Sequence, residues 1–186
     1  VNELNGDINS LMHSIEFDSI HGKWVAEFQK KENELIINEH KIKTSFVDNI
    51  ELLNLENIDI LIDCTGENKS SIELSKYFKL GIKKVIVSAP INEPRIANIV
   101  YGVNQTIYNP SQHNIITAAS CTTNCIAPII KVLHDNIGIR HGSITTIHNI
   151  TNSQTLIDLP HRDQRRGRSA LNNLIPTTTG SAEAIS

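Results

Sequence analysis

The sequence is short of cysteine, glycine and aromatic residues, and each shortage closes off a class of protein. Three cysteines in 186 residues, an odd and small number, exclude a secreted disulfide framework and point to a reducing compartment such as the cytoplasm. The nine glycines never stand two apart, so the chain holds no G-x-G-x-x-G phosphate loop. Residues of the AVILMFWYC set never run beyond three in succession, which excludes a helix of about 20 apolar residues spanning a membrane. A large excess of either charge is missing too: the net charge is −3 and the pI about 6.2, which argues against nucleic acid or a membrane as partner. Methionine occurs only at Met12, and the chain opens on Val1 and stops at SAEAIS, inside what reads as a helix. We therefore expect a fragment of a longer protein. Its amino end, VNELNGDINS, lacks the basic-then-apolar order of a signal peptide.

What is present alternates between strand and helix signals. KIKTSFV (41–47) places Ile42, Thr44 and Phe46 on one face and lysines and serine on the other, which predicts a half-exposed strand. NIDILIDCTG (57–66) is a nearly continuous apolar run and predicts a strand buried on both faces. ENKSSIELSKYFKLG predicts a helix turning Ile72, Tyr77 and Phe78 inward, with Gly81 as stop. KKVIVSAP predicts the next strand, so strand, helix and strand form a parallel crossover. NIVYGVN and NIITAAS predict two further strands. CTTNCIAPIIKVLHDNIG predicts a helix with Ser120 as N-cap, Ile126, Ile129, Ile130 and Leu133 facing inward and Gly138 as stop. Pro128 should kink it. GSITTIHNIT (142–151) predicts a strand, 152–173 a polar surface loop, and LIPTTTGSAEAIS a short strand, a Thr-Gly turn and a helix start. The change of pattern sets a domain boundary near Ser120.

Chemistry concentrates in ASCTTNC (119–125). Cys121 directly follows the predicted cap, where the positive end of the helix dipole stabilises a thiolate. Cys125 lies one turn on, on the same face, and should be more buried; Cys64, in a buried strand, should be structural. Plain packing accounts for small residues at a helix start equally well. A disulfide between Cys121 and Cys125 suits helical geometry poorly, and a zinc site lacks a second cysteine pair. A nucleophilic thiol needs a base, and His148, at the end of ITTIH, is the candidate. TTTG (177–180) before a helix offers hydroxyls and free N–H groups to an oxyanion, with Ser120, Thr122 and Thr151 as further donors. HRDQRRGR (161–168) is basic but carries no interleaved aromatics, which makes it a poor nucleic-acid platform.

ASCTTNCIAPIIKVLHDNIGI, TTIHNIT and RRGRSALNNLIPTTTGSA together resemble the catalytic core of phosphorylating glyceraldehyde-3-phosphate dehydrogenases. The resemblance runs back through KKVIVSAP, IDCTG and DSIHGKW to VNE, across essentially the whole chain. It implies an α/β fold: a Rossmann-like doubly wound sheet over 1–119, lacking its first strand and pyrophosphate loop, then part of an α+β catalytic domain over 120–186. It implies Cys121 as the nucleophile that attacks the aldehyde and His148 as its base. Ser120, Thr122, Thr151, Arg166, Thr179 and Gly180 would bind substrate phosphate and inorganic phosphate. Glu3 would hold the adenosine ribose of NAD and disfavour a 2′-phosphate, and Ser88 would stand beside the cofactor. The substrates implied are glyceraldehyde 3-phosphate and inorganic phosphate, the product is 1,3-bisphosphoglycerate, and the full-length assembly is a homotetramer.

The chain departs from the family pattern at Ala118, commonly Asn, and at Glu3, commonly Asp. TAASCTTNC, VNE and HGSITTIH look most like a branch that uses arsenate in place of phosphate and makes 1-arseno-3-phosphoglycerate. Erythrose-4-phosphate dehydrogenase shares a ribose Glu, but its phosphate loop differs from TTTG. Two readings of other classes are an RNA-binding module working through Arg162–Arg168 and a redox sensor using Cys121 and Cys125.

Overall fold

A computed structural model describes residues 1–185. They form two compact units: Val1–Leu61 with Ile72–Lys84, and Ile62–Ser71 with the chain from Val85 onward.

The first unit opens with a helix the apolar pattern did not announce, α1 (Ile8–Glu16). Asp7 caps it by accepting from the Asn9 and Ser10 N–H groups, and Ser10 Oγ accepts in return from the Asp7 N–H. These bonds hold the Asp7 carboxyl at about 2. The signal was the D-x-x-S spacing, a variant of the usual capping box. A small hairpin follows, β1 (Phe17–Asp18) and β2 (Gly22–Lys23). Then comes an antiparallel meander of β3 (Phe28–Lys31), β4 (Glu34–Ile37) and β5 (His40–Lys43). Its two-residue turns bring Glu32 and Asn38 to positive φ, 50° and 52°, the geometry that matches strand twist in tight hairpins. Register pairs Leu35 with Ile42, and Leu35 is fully buried. The predicted strand at 41–47 pairs with β4 as far as Lys43; the Thr44 N–H and hydroxyl both donate to the Asn33 carbonyl, and Ser45 then bridges to Asn2 instead. Ile42 and Thr44 do face inward. Residues 1–3 run parallel beside 43–45: Ser45 N donates to Val1 O and Glu3 N to Ser45 O. After a 3-10 turn at Ile50–Leu52, this unit takes in most of α2 (Ser71–Lys79). Leu74 and Tyr77 are buried, whereas Ile72, expected inward, is 81% exposed; two residues before Leu74, it lies on the opposite helical face.

The second unit holds most of a four-stranded sheet in the order β6 (Ile60–Asp63), β7 (Lys84–Val87), β9 (Ile115–Thr117), β8 (Ala97–Asn98). β7 and β8 both pair with β9 in parallel, the parallel α/β sheet that was expected, with β6 and β7, the strands on either side of α2, adjacent in it. Two corrections concern β6. Ile60 and Ile62 are 55% and 64% exposed, and Cys64 is exposed rather than buried. β6 is an edge strand, and its isoleucines are left uncovered among the described residues. Of NIVYGVN only Asn98 lies in β8, which begins one residue earlier at Ala97, and the chain then turns at Gly102, φ +87°.

α3 (Cys121–Ile137) starts from Ser120 and ends at Gly138, as predicted, and runs uninterrupted through Pro128. Its buried stripe is Thr123 and Ala127. Ile126 and Ile130 are only half-buried, and Ile129 and Leu133, expected inward, are 58% and 44% exposed. Among the described residues, its second turn packs through Ala127 into the cluster of Val100 and Ala119 with Val103 and Ile185. Cys125 is exposed as well, since it lies on the face opposite the Thr123–Ala127 stripe. Among the described residues, GSITTIHNIT forms neither strand nor helix, 152–173 is mostly turns and bends, and TTTG leads into the single turn α4 (Ser181–Ala184) without a preceding strand.

Replacing Leu35 with Ala should destabilise the first unit by about 3 kcal/mol, the transfer loss plus an unfilled cavity. Urea unfolding followed by circular dichroism would read this as a lower midpoint.

Candidate active site

Strand β9 ends at Thr117, and the chain turns sharply before α3 begins at Cys121. The turn needs a left-handed residue, and Ala119 supplies it at φ +54°. Thr117 Oγ1 accepts from the Ala119 N–H at 3.0 Å, and Ser120 Oγ accepts from Thr123 N at 3.0 Å. Cys121 therefore occupies the first helical position, exposed to solvent.

His148 comes from the extended 142–151 segment, and its Nε2 lies 3.3 Å from Cys121 Sγ. Its other nitrogen, Nδ1, donates to the Asn149 carbonyl at 2.8 Å. A carbonyl only accepts, so Nδ1 carries a proton and Nε2 is left to take one from the thiol. The bond from His148 holds the Cys121 thiol below its ordinary value; partial burial opposes this, and the Thr122 hydroxyl and N–H add to it. His148 is raised, first by the Asn149 carbonyl and then by the thiol. The two shifts favour the same state, a thiolate beside an imidazolium.

A row of hydroxyls joins the first turns of α3 and α4. Ser120 Oγ and Thr123 Oγ1 are 2.7 Å apart, Thr123 Oγ1 donates to Ser181 Oγ at 3.5 Å, and Thr179 Oγ1 donates to Ser181 Oγ at 3.0 Å. Thr123 and Ser181 are both buried. The TTTG segment is thereby linked to the helix start that carries Cys121, leaving Thr179 and Gly180 exposed. Thr123 and Ser181 were missed in the sequence. The only trace was a hydroxyl residue in the first turn of each of two helices.

With this geometry in place, two family models match. Residues 120–186 fit the glyceraldehyde 3-phosphate dehydrogenase C-terminal domain, and residues 1–71 fit the NAD binding domain of the same family. The chain belongs to the glyceraldehyde-3-phosphate dehydrogenase family. It is 45% identical over 187 residues to glyceraldehyde-3-phosphate dehydrogenase 3 of Nostoc sp. (strain PCC 7120), covering 100% of this chain and 55% of that protein. It is 44% identical to glyceraldehyde-3-phosphate dehydrogenase 1 of Bacillus subtilis and 44% identical to the glyceraldehyde-3-phosphate dehydrogenase of Geobacillus stearothermophilus, again over 100% of this chain and 56% and 55% of theirs. The chain thus spans about half the length of the curated relatives it matches.

The remaining residues that the glyceraldehyde-3-phosphate dehydrogenase resemblance singles out sit in local contacts of their own. Thr151 is held in a turn, its N–H donating to Gln154 Oε1 and its hydroxyl 3.0 Å from Ser153 Oγ. Arg166 is 3.7 Å from Asp163, which also takes two bonds from the Arg165 guanidinium and one from its N–H, while Arg168 pairs with Asp158 at 2.6 Å. Three of the cluster's arginines are therefore matched by carboxylates, which weakens the case for a nucleic-acid surface. In the first unit, Glu3 is half-exposed and accepts one bond from the Asn5 N–H. In the second, Ser88 is exposed at the end of β7, its N–H donating to the Asp63 carbonyl. Among the described residues, no group of three metal-ligating side chains exists, and no helix is long and apolar enough to cross a membrane.

Removing the imidazole with His148→Ala deletes the largest cause of the lowered thiol. The pH midpoint of Cys121 alkylation by iodoacetamide should rise, with neutral-pH rates falling about tenfold for each pKa unit moved. Rates of parent and variant should converge in alkali, as followed by peptide-resolved mass spectrometry.

Proposed function

We propose that the protein carrying this chain oxidises glyceraldehyde 3-phosphate with NAD and inorganic phosphate to 1,3-bisphosphoglycerate, with Cys121 as nucleophile. The observation that carries this reading is the 3.3 Å contact between Cys121 Sγ and His148 Nε2, with Nδ1 already committed to a carbonyl. The thiolate adds to the aldehyde carbon to form a thiohemiacetal. His148 takes the thiol proton on Nε2, gives it to the developing alkoxide as the thiohemiacetal forms, and takes it back from that hydroxyl as hydride leaves the carbon. NAD, when bound, is the hydride acceptor. The resulting thioester keeps the oxidation energy available, and attack by phosphate releases the acyl phosphate and restores the thiolate.

Ser120, Thr122, Thr151, Arg166, Thr179 and Gly180 are proposed to hold the phosphate groups. The hydroxyl row supports this for Ser120 and Thr179, which it ties into one local assembly. Arg166 would have to exchange Asp163 for a phosphate. Glu3 suits a ribose diol, because a carboxylate accepts several bonds and only one donor, Asn5, is seen on it. The same charge repels a 2′-phosphate, favouring NAD over NADP. Ser88, exposed at the end of β7, is proposed to stand beside the cofactor. We place the partial NAD-binding domain at 1–119 and the partial catalytic domain at 120–186, and the full-length protein in the cytoplasm as a homotetramer. Phosphate is taken as the oxyanion, with arsenate as the variant reading.

NADH formation by the full-length protein, followed by absorbance, tests the proposal. Cys121→Ser should abolish it, and full activity in that variant would refute the role of Cys121. Comparing initial rates with phosphate and with arsenate, and with erythrose 4-phosphate as substrate, separates the branches.

A further inference from the structure

Asn124 is one turn into α3 and was given no role above. Its side-chain nitrogen donates to the Ala118 carbonyl at 2.7 Å and to the Ser120 carbonyl at 2.9 Å. Both partners are acceptors, so the atom facing them is the amide nitrogen. These carbonyls stand on either side of Ala119, the residue forced to φ +54°. A left-handed alanine costs roughly 1–2 kcal/mol, and the cost persists only where neighbouring contacts over-determine the turn. Thr117 holds the Ala119 N–H and Ser120 holds the Thr123 N–H. Neither of them engages the two carbonyls.

We propose that Asn124 is a positioning residue for Cys121, clamping the carbonyls that flank the left-handed Ala119 so that the sulfur stays at the helix start within reach of His148. The proposal deepens the reading of Cys121 as nucleophile and depends on that reading only for its catalytic meaning. Among the described residues, the titratable group that bears on the thiol is His148, from the extended segment facing α3; Thr122 adds an uncharged donor from α3 itself. If Ala119 relaxes, Cys121 shifts away from both the first-turn N–H groups and His148, and the thiol returns toward its ordinary value.

The test exploits the conformation of Ala119. In Asn124→Ala, the pH midpoint of Cys121 alkylation by iodoacetamide should rise, with a loss of neutral-pH rate of roughly tenfold per pKa unit. Ala119→Gly removes the left-handed penalty, so in that background the same Asn124→Ala change should move the midpoint little. A general loss of stability would lower the melting temperature but leave the midpoint in place. An unchanged midpoint in Asn124→Ala overturns the proposal, as does an equal shift in both backgrounds. Should Asn124→Ala alone fail to fold, the double variant decides: a parental midpoint supports the clamp and a raised one refutes it. Alkylation needs neither substrate nor NAD. A parent protein that makes no NADH would therefore refute the dehydrogenase reading without touching this one.

Discussion

The hydroxyl of Thr117 is the contact on which the reactive part of the molecule depends. It donates to Asn98 Oδ1 at 2.6 Å and accepts from the Ala119 N–H at 3.0 Å. Thr117 is almost fully buried, so leaving that oxygen unpaired would cost on the order of 1–3 kcal/mol. Asn98 is in turn fixed by the Ile91 N–H and carbonyl, and its own carbonyl accepts from Asn104. One buried network therefore ties β8, the end of β9 and the following turn together. This network fixes the end of β9 from which the turn to Cys121 starts.

Around that anchor, the site is built from short-range devices. Ser120 caps α3, Asn149 sets the His148 tautomer, and Thr151 is held by Gln154. Such devices survive in a segment that has no sheet or helix of its own, which is why the 142–151 stretch can deliver an imidazole without being a strand. Both Cys121 and His148 are exposed, so their mutual effect is screened and rests on direction more than on low dielectric.

What the sequence reveals here is what is decided locally. Ser120 and Gly138 mark the ends of α3 because caps depend on adjacent backbone. Val85 and Val87 mark β7 because β-branching and a following proline act within a few residues. The pairing of Cys121 with His148 was legible only as two suitable residue types, and their joint meaning came from the family likeness. Burial was read less well. Ile60, Ile62, Ile129, Leu133, Cys64 and Cys125 are apolar enough to be core residues, yet what covers a side chain is a matter of long-range packing. ITTIH has the composition of a strand but no ladder partner among the described residues, and composition cannot report a partner. α1 went unseen because its cap uses Ser10 where Glu or Gln would be the stronger sign.

The bond between His148 Nδ1 and the Asn149 carbonyl has an effect on proton traffic. A histidine with both nitrogens free can accept a proton on one edge and release it from the other, acting as a relay. Here one edge is closed by the very next residue, so the ring is a single-berth dock. Whatever proton Nε2 takes must leave from Nε2, facing Cys121. Two protons cannot be berthed there at once, which imposes a sequence: the first must depart before the second arrives. The order of chemical events at the sulfur is thus written into a backbone carbonyl that never touches it.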